Sequence, residues 1–220
     1  VANAAGYCWR SVTIGGGVIT GVPTGVSIDG VATGAAVSIG SLNVNGTSGS
    51  GITLANIDGS VIFTGMTNIS GAGTSGIVFG AGSAGSIAFG DVNITGFGAG
   101  RRGVDARTAS GTISFNTLDI TGSSTTGTRG IDLTGATFGT SFTTTESSSI
   151  TGVGIGVDLT NAAITGSFRY GDGSNTDADG AASTINAVTP IVITGINAGT
   201  GSYNFLDVAL TGDTSTLTTS

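Results

Sequence analysis

A chain of 220 residues is long enough to bury a sizeable core, but 42 Gly, no Lys and 9% charged residues exclude a helical protein. A hydrophobic share of 38% excludes a disordered linker, and a net charge of −7 without any Lys argues against nucleic acids and anionic membranes as partners, since both require basic patches. Cys8 is alone and forms no disulfide within the chain, and no run of about 20 apolar residues is present to span a membrane.

In chain order, residues 1–9 read as an N-terminal cap or partial coil. Cys8 and Trp9 either cover the first tier or meet a partner. The small residues of VANAA suit the neighbourhood of a signal-peptide cleavage site, and equally a trimmed fragment. A phrase of Gly followed by apolar-x-apolar then recurs as GVSI (25–28), GITL (51–54), GIVF (76–79), GVDA (103–106), GIDL (130–133) and GVDL (156–159). The starts are 26, 25, 27, 27 and 26 residues apart. PIVI (190–193) follows after 34. Fixed periodicity of this kind marks stacked repeats. Each period holds two more β-like pieces, such as Gly-Ser-Ile-Ala-Phe (85–89) followed by Val92-Asn93-Ile94-Thr95-Gly96. The tier that starts at Gly51 carries one extra residue before Ile69.

Three short strands per period, each alternating apolar and polar, cannot bury their apolar faces locally. If the chain coils once per period, every strand lies beside its equivalent one tier on, and the apolar residues stack inward in columns. The clearest column is expected at Phe63, Phe89 and Phe115, with Ile39 below and Phe205 in the matching place of the last tier. Gly is expected as the turn that launches each strand. The expectation is an all-β right-handed parallel β-helix, about 26 residues per coil, three strands per coil and roughly eight coils. It forms one domain over 1–220, with an acidic loop inserted at 171–183 and a C-terminal tail at 213–220; either that tail caps the rod or the chain is a segment of a longer protein.

These tiers resemble the right-handed parallel β-helix of the pectin-lyase-like group, in the form found in large bacterial surface and autotransporter passenger proteins. The likeness runs from about Arg10 to Leu210. It implies a fold that carries enzymes, adhesins and phage spikes alike.

Candidate chemistry sits in two places. Asp105, Asp132 and Asp158 lie between inward residues and are expected to face water as a column of carboxylates. Arg107 is two residues after its Asp, and Arg102 and Arg129 are three before theirs. A surface ladder of Asp and Arg is one reading; a cation or sugar site is the other. The resemblance would allow a polysaccharide lyase, which uses acidic side chains, calcium and an Arg base. This chain has no His, no Lys and no adjacent Asp pair. The second place is YGDGSNTDADGAAS (170–183), where Asp172, Ser174, Asn175, Asp177 and Asp179 offer the hard oxygen ligands that calcium prefers. A solvated acidic loop is the simpler reading, and a weak calcium site the alternative. Asn43, Asn68, Asn93 and Asp119 recur outward and suit a tier-to-tier hydrogen-bond ladder.

The functional expectation is a non-enzymatic extracellular or cell-surface module that needs no cofactor, with calcium as an option at the acidic loop. It is a rigid rod that associates with other copies through open strand edges and with glycans along its flanks. The alternative is a carbohydrate-active β-helix that uses the Asp105, Asp132 and Asp158 face.

Overall fold

The computed structural model describes residues 11–137, 139, 141–172, 183–195, 201–213 and 216–218. Among these residues, eighteen strands join into one continuous sheet that winds as a parallel solenoid of about seven turns. Every strand pairing is parallel, and each strand meets its equivalent one tier away.

The first face of the coil is built by the front of β1 (Ser11–Thr20) and β3 (Ala36–Asn45), then β5 (Ser60–Phe63) and the front of β8 (Ser86–Phe97) and β10 (Thr112–Gly122). It continues through β12 (Ser141–Thr144), β14 (Ser167–Tyr170) and β16 (Ser202–Phe205). The rear halves of β1, β3, β8 and β10 build the second face, with β6 (Thr67–Ser70), the front of β13 (Ser149–Asp158) and β15 (Ser183–Thr194), and β17 (Val208–Thr211). The third face holds β2 (Val26–Val31), β4 (Ile52–Ile57), β7 (Ser75–Phe79), β9 (Arg102–Asp105), β11 (Arg129–Asp132), the rear of β13 and β15, and β18 (Thr216–Thr218).

The expected three separate strands per coil are therefore partly merged. Where the inward residues of the first two faces stand five positions apart, as Ile39 and Val44 or Phe89 and Ile94, one long strand runs through the corner. Where they stand six apart, as Phe63 and Ile69, the strand breaks around Gly65 and exposed Met66.

Inward residues form the expected columns. On the third face Val26, Ile52, Ile77, Val104, Ile131, Val157 and Ile191 pair in unbroken succession. On the first face Ile39, Phe63, Phe89 and Phe115 do the same. The Phe63 and Phe89 rings stack at 4.3 Å and the Phe89 and Phe115 rings at 5.0 Å, within 10° of parallel. The aromatic ladder then changes column, because Thr144 pairs with Phe115 and Phe142 takes the place next to Ile113. It goes on through Phe142 and Phe168 at 5.4–5.6 Å, while half-buried Phe205, in register with Tyr170 and not with Phe168, meets the Phe168 ring diagonally at 5.4 Å.

The recurring Gly does not work as a turn. Gly25, Gly51, Gly76, Gly103, Gly130 and Gly156 all lack positive φ. A Cβ at these positions would come within 2.3–2.7 Å of a methyl of Val44, Ile69, Ile94, Ile120, Ile150 or Ile185. The inward Val or Ile of the second face leans on the backbone of the third, and only Gly leaves room. The left-handed turn comes instead at the end of the second face, where Gly46, Gly71 and Gly96 have φ of 62, 64 and 72°.

Candidate functional site: a buried carboxylate–guanidinium ladder

On the third face Asp105, Asp132 and Asp158 stand in register on β9, β11 and β13, and Arg102 pairs with Arg129 in the same ladder. Each Asp is flanked by inward residues (Val104 and Ala106, Ile131 and Leu133, Val157 and Leu159) that are all buried. The column exists as expected, but its exposure to water does not. Asp132 and Asp158 are only 1% and 3% exposed, and Asp105 is partly covered.

Two sets of contacts explain the burial. Each carboxylate closes a local turn: Oδ1 accepts the amide N–H two residues on, from Arg107 (3.4 Å), Thr134 (3.0 Å) and Thr160 (3.1 Å). Asx turns of this kind shape the corner that follows the strand. The second oxygen is covered by Arg from the neighbouring tier. Arg102 donates through Nε to Asp132 Oδ2, and Arg129 donates through Nε to Asp158 Oδ2 at 2.7 Å. Arg107 stays in its own tier and grips Asp105 with Nε and Nη2, both at 2.9 Å. The expected own-tier partners are looser, at 4.0 Å for Arg102 with Asp105 and 3.7 Å for Arg129 with Asp132. Stacked strands lie about 4.8 Å apart, so an Arg reaches across the ladder more easily than back along its own strand.

Asp132 is the hub. Its Oδ2 bonds to Arg102 Nε and lies 3.7 Å from Arg129 Nε and 3.8 Å from Arg107 Nε. Burial pushes this carboxyl up, but the hydrogen bond and charge of Arg102 and the amide of Thr134 outweigh it and hold the group below its ordinary range. The hydrogen bond to Asp105 holds the Arg107 guanidinium above its ordinary range. Three carboxylates face three guanidiniums, and the ladder stops where apolar residues take over. Ile155 follows Arg129, Val192 follows Asp158, and Val78 precedes Asp105. This arrangement cross-links three tiers and leaves the buried carboxylates committed to internal partners.

The other expected groups fall into place around it. Asn68 Nδ2 donates to Asn43 Oδ1 at 2.9 Å, and the Ser149 hydroxyl donates to Asp119 Oδ1 at 2.6 Å, so the outward Asn column does form a ladder in part. Asp172 is buried and has an internal partner. Ser174, Asn175, Asp177 and Asp179, like Cys8 and Trp9, lie outside the described residues. Among the described residues no group of three or more His, Cys, Asp or Glu is placed to hold a metal ion, and no helix is long and apolar enough to cross a membrane.

Fold and site together define a parallel β-solenoid braced by a structural ion-pair ladder. No family model, curated protein or solved structure matches the chain.

Proposed function

We propose that this chain is a non-enzymatic structural or adhesive module, a rigid β-solenoid rod of an extracellular bacterial surface protein. The observation that carries this reading is the way the ladder spends its charges. The carboxylates that a catalytic reading needs are buried, turned into corner-forming turns and matched by guanidiniums. The chain has no His to act as a general base beside them. Continuous columns from Ile39 through Phe168 supply stiffness along the axis.

Association with like strands completes the proposal. Among the described residues β1 pairs only with β3, and β16 and β17 pair only with β14 and β15. Among those residues each has one edge with no strand beside it, of the kind that templates a further strand. The occupant is another copy or a neighbouring stretch of a longer protein. Negative-stain electron microscopy of the chain, first with calcium and then with EDTA, tests the reading. Uniform rods that join end to end, alike in both buffers, are the expected result. Irregular particles of no constant width would contradict it.

A further inference from the structure

The two ends of the coil expose what the tiers between them bury. Ile14, at the head of the first-face column, is 49% exposed, while Ile39 beside it is 3% exposed. Leu210, at the far end of the second-face column, is 46% exposed, while Ile185 beside it is fully buried. Val12 and Ile19 at one mouth, and Tyr203, Phe205 and Val208 at the other, are half-buried. An apolar mouth at each end of a rod is unfavourable in water, and a matching surface relieves it.

The two mouths match in register. The inward positions of the first tier are Val12, Ile14, Gly17 and Ile19 in SVTIGGGVIT (11–20), and those of the last are Tyr203, Phe205, Val208 and Leu210 in SYNFLDVALT (202–211). Both stretches have ten residues, begin with Ser, end with Thr and set the second-face Ile or Leu five positions after the first-face Ile or Phe. A six-position tier, such as that of Phe63 and Ile69, stacks on a five-position one only by breaking its strand. Bulk is complementary as well, since the last tier carries the rings and the first tier carries Val, Ile and Gly. Asp207 falls opposite Gly16, which has no side chain to meet it. β1, β16 and β17 contain no charged residue and no Pro, the devices that keep edge strands of natural sheets apart.

We infer that the partner at these edges is a second copy of this chain, stacked head to tail so that Ser11–Ile14 adds to β16 and Val18–Thr20 adds to β17 in unbroken register. Val12 then lies on Tyr203, Ile14 on Phe205 and Ile19 on Leu210, and on the third face β2 comes beside β18. Both inward columns run on across the junction. The contact joins different surfaces of the two copies, so it repeats without closing and yields a filament one chain wide. This inference rests on the rod reading and adds to it which end meets which, and in what alignment.

Thiol cross-linking of the full chain tests it, in a Cys8→Ser background, with Thr13→Cys and Asn204→Cys as separate variants. These outward positions oppose each other across the junction at the spacing of neighbouring strands, about 4.8 Å, which a disulfide spans. Under mild oxidation the mixture should give a cross-linked dimer, and neither variant alone should do so at a comparable rate. Moving the second thiol to Ser202, two positions out of register, should slow the reaction roughly tenfold or more. Ile14→Lys puts a charge in the mouth and leaves the interior tiers untouched. It should weaken association roughly tenfold or more by analytical ultracentrifugation, with the melting curve kept as a check on folding. A dimer formed as fast from Thr13→Cys alone would mean that heads meet heads, and would overturn the inference. So would no cross-link in the mixture, equal rates in and out of register, or unchanged association of a folded Ile14→Lys variant. Uniform single rods with no cross-link overturn this contact alone, whereas irregular particles overturn the rod.

Discussion

Phe89 sits at the centre of the aromatic ladder, and replacing it gives a magnitude to check. The ring is 3% exposed, stacked on Phe63 at 4.3 Å and on Phe115 at 5.0 Å, and met edge-on by Phe79 at 6.2 Å. Phe89→Ala removes the whole ring from a site whose walls are strands of three consecutive tiers, so collapse is limited. A buried Phe→Ala change costs about 3–5 kcal/mol, and the upper half of that range is expected here. Phe89→Leu keeps most of the volume and loses two stacked pairs, each worth about 0.5–1.5 kcal/mol, so about 1–3 kcal/mol is expected. Urea unfolding followed by circular dichroism measures both, with the slope compared between variants to check that the same structure unfolds. If Phe89→Ala costs less than about 1 kcal/mol, or if Leu and Ala cost the same, the stacked column is not what holds these tiers together.

Three further outcomes follow from the same contacts. Arg102→Leu should destabilise by about 1–3 kcal/mol, because Asp132 stays buried with only the more distant Arg107 and Arg129 beside it; chemical unfolding of Arg102→Leu alone and with Asp132→Leu should show the pair costing less than the single change. The folded Asp132 carboxyl is held below its ordinary value, so its pairing stabilises above about pH 4 and is lost as pH falls through the folded value; melting temperature against pH should fall more shallowly on the acid side in Asp132→Asn. Gly103→Ala places a Cβ 2.7 Å from the Ile120 Cγ2 and 2.8 Å from the Gly130 carbonyl, and should cost about 1–3 kcal/mol by thermal melting. Gly98→Ala, with open space around it, should cost less than about 0.5 kcal/mol.

Much of the fold was legible because periodicity and alternation are local signals that add up. The spacing of Phe63, Phe89 and Phe115 named their column, and the recurring Gly-apolar-x-apolar phrase named the third face. The role of that Gly was not legible. The reason is steric and lies in Ile94 or Ile120, side chains from a different face of the coil. The candidate site was half legible for a similar reason. Alternation correctly turned Asp132 away from the core, but exposure depends on what covers the outer surface, and here that is an Arg from the tier below. A signal for this was available in the aligned tiers. Arg stands at 102 and 129, one tier before Asp132 and Asp158, and is absent at Ile155, one tier before Val192.

Burial, turn closure and ion pairing make the third-face carboxylates part of the architecture, and a catalytic role for them is the reading to test against it. Asp132→Ala tests it most directly when unfolding free energy and turnover of acidic polysaccharides are measured on the same preparations. A loss of about 3 kcal/mol of stability, with no turnover by either the parent chain or the variant, is the expected result. A parent chain that depolymerises such a polysaccharide, with a variant of unchanged stability that does not, would contradict it.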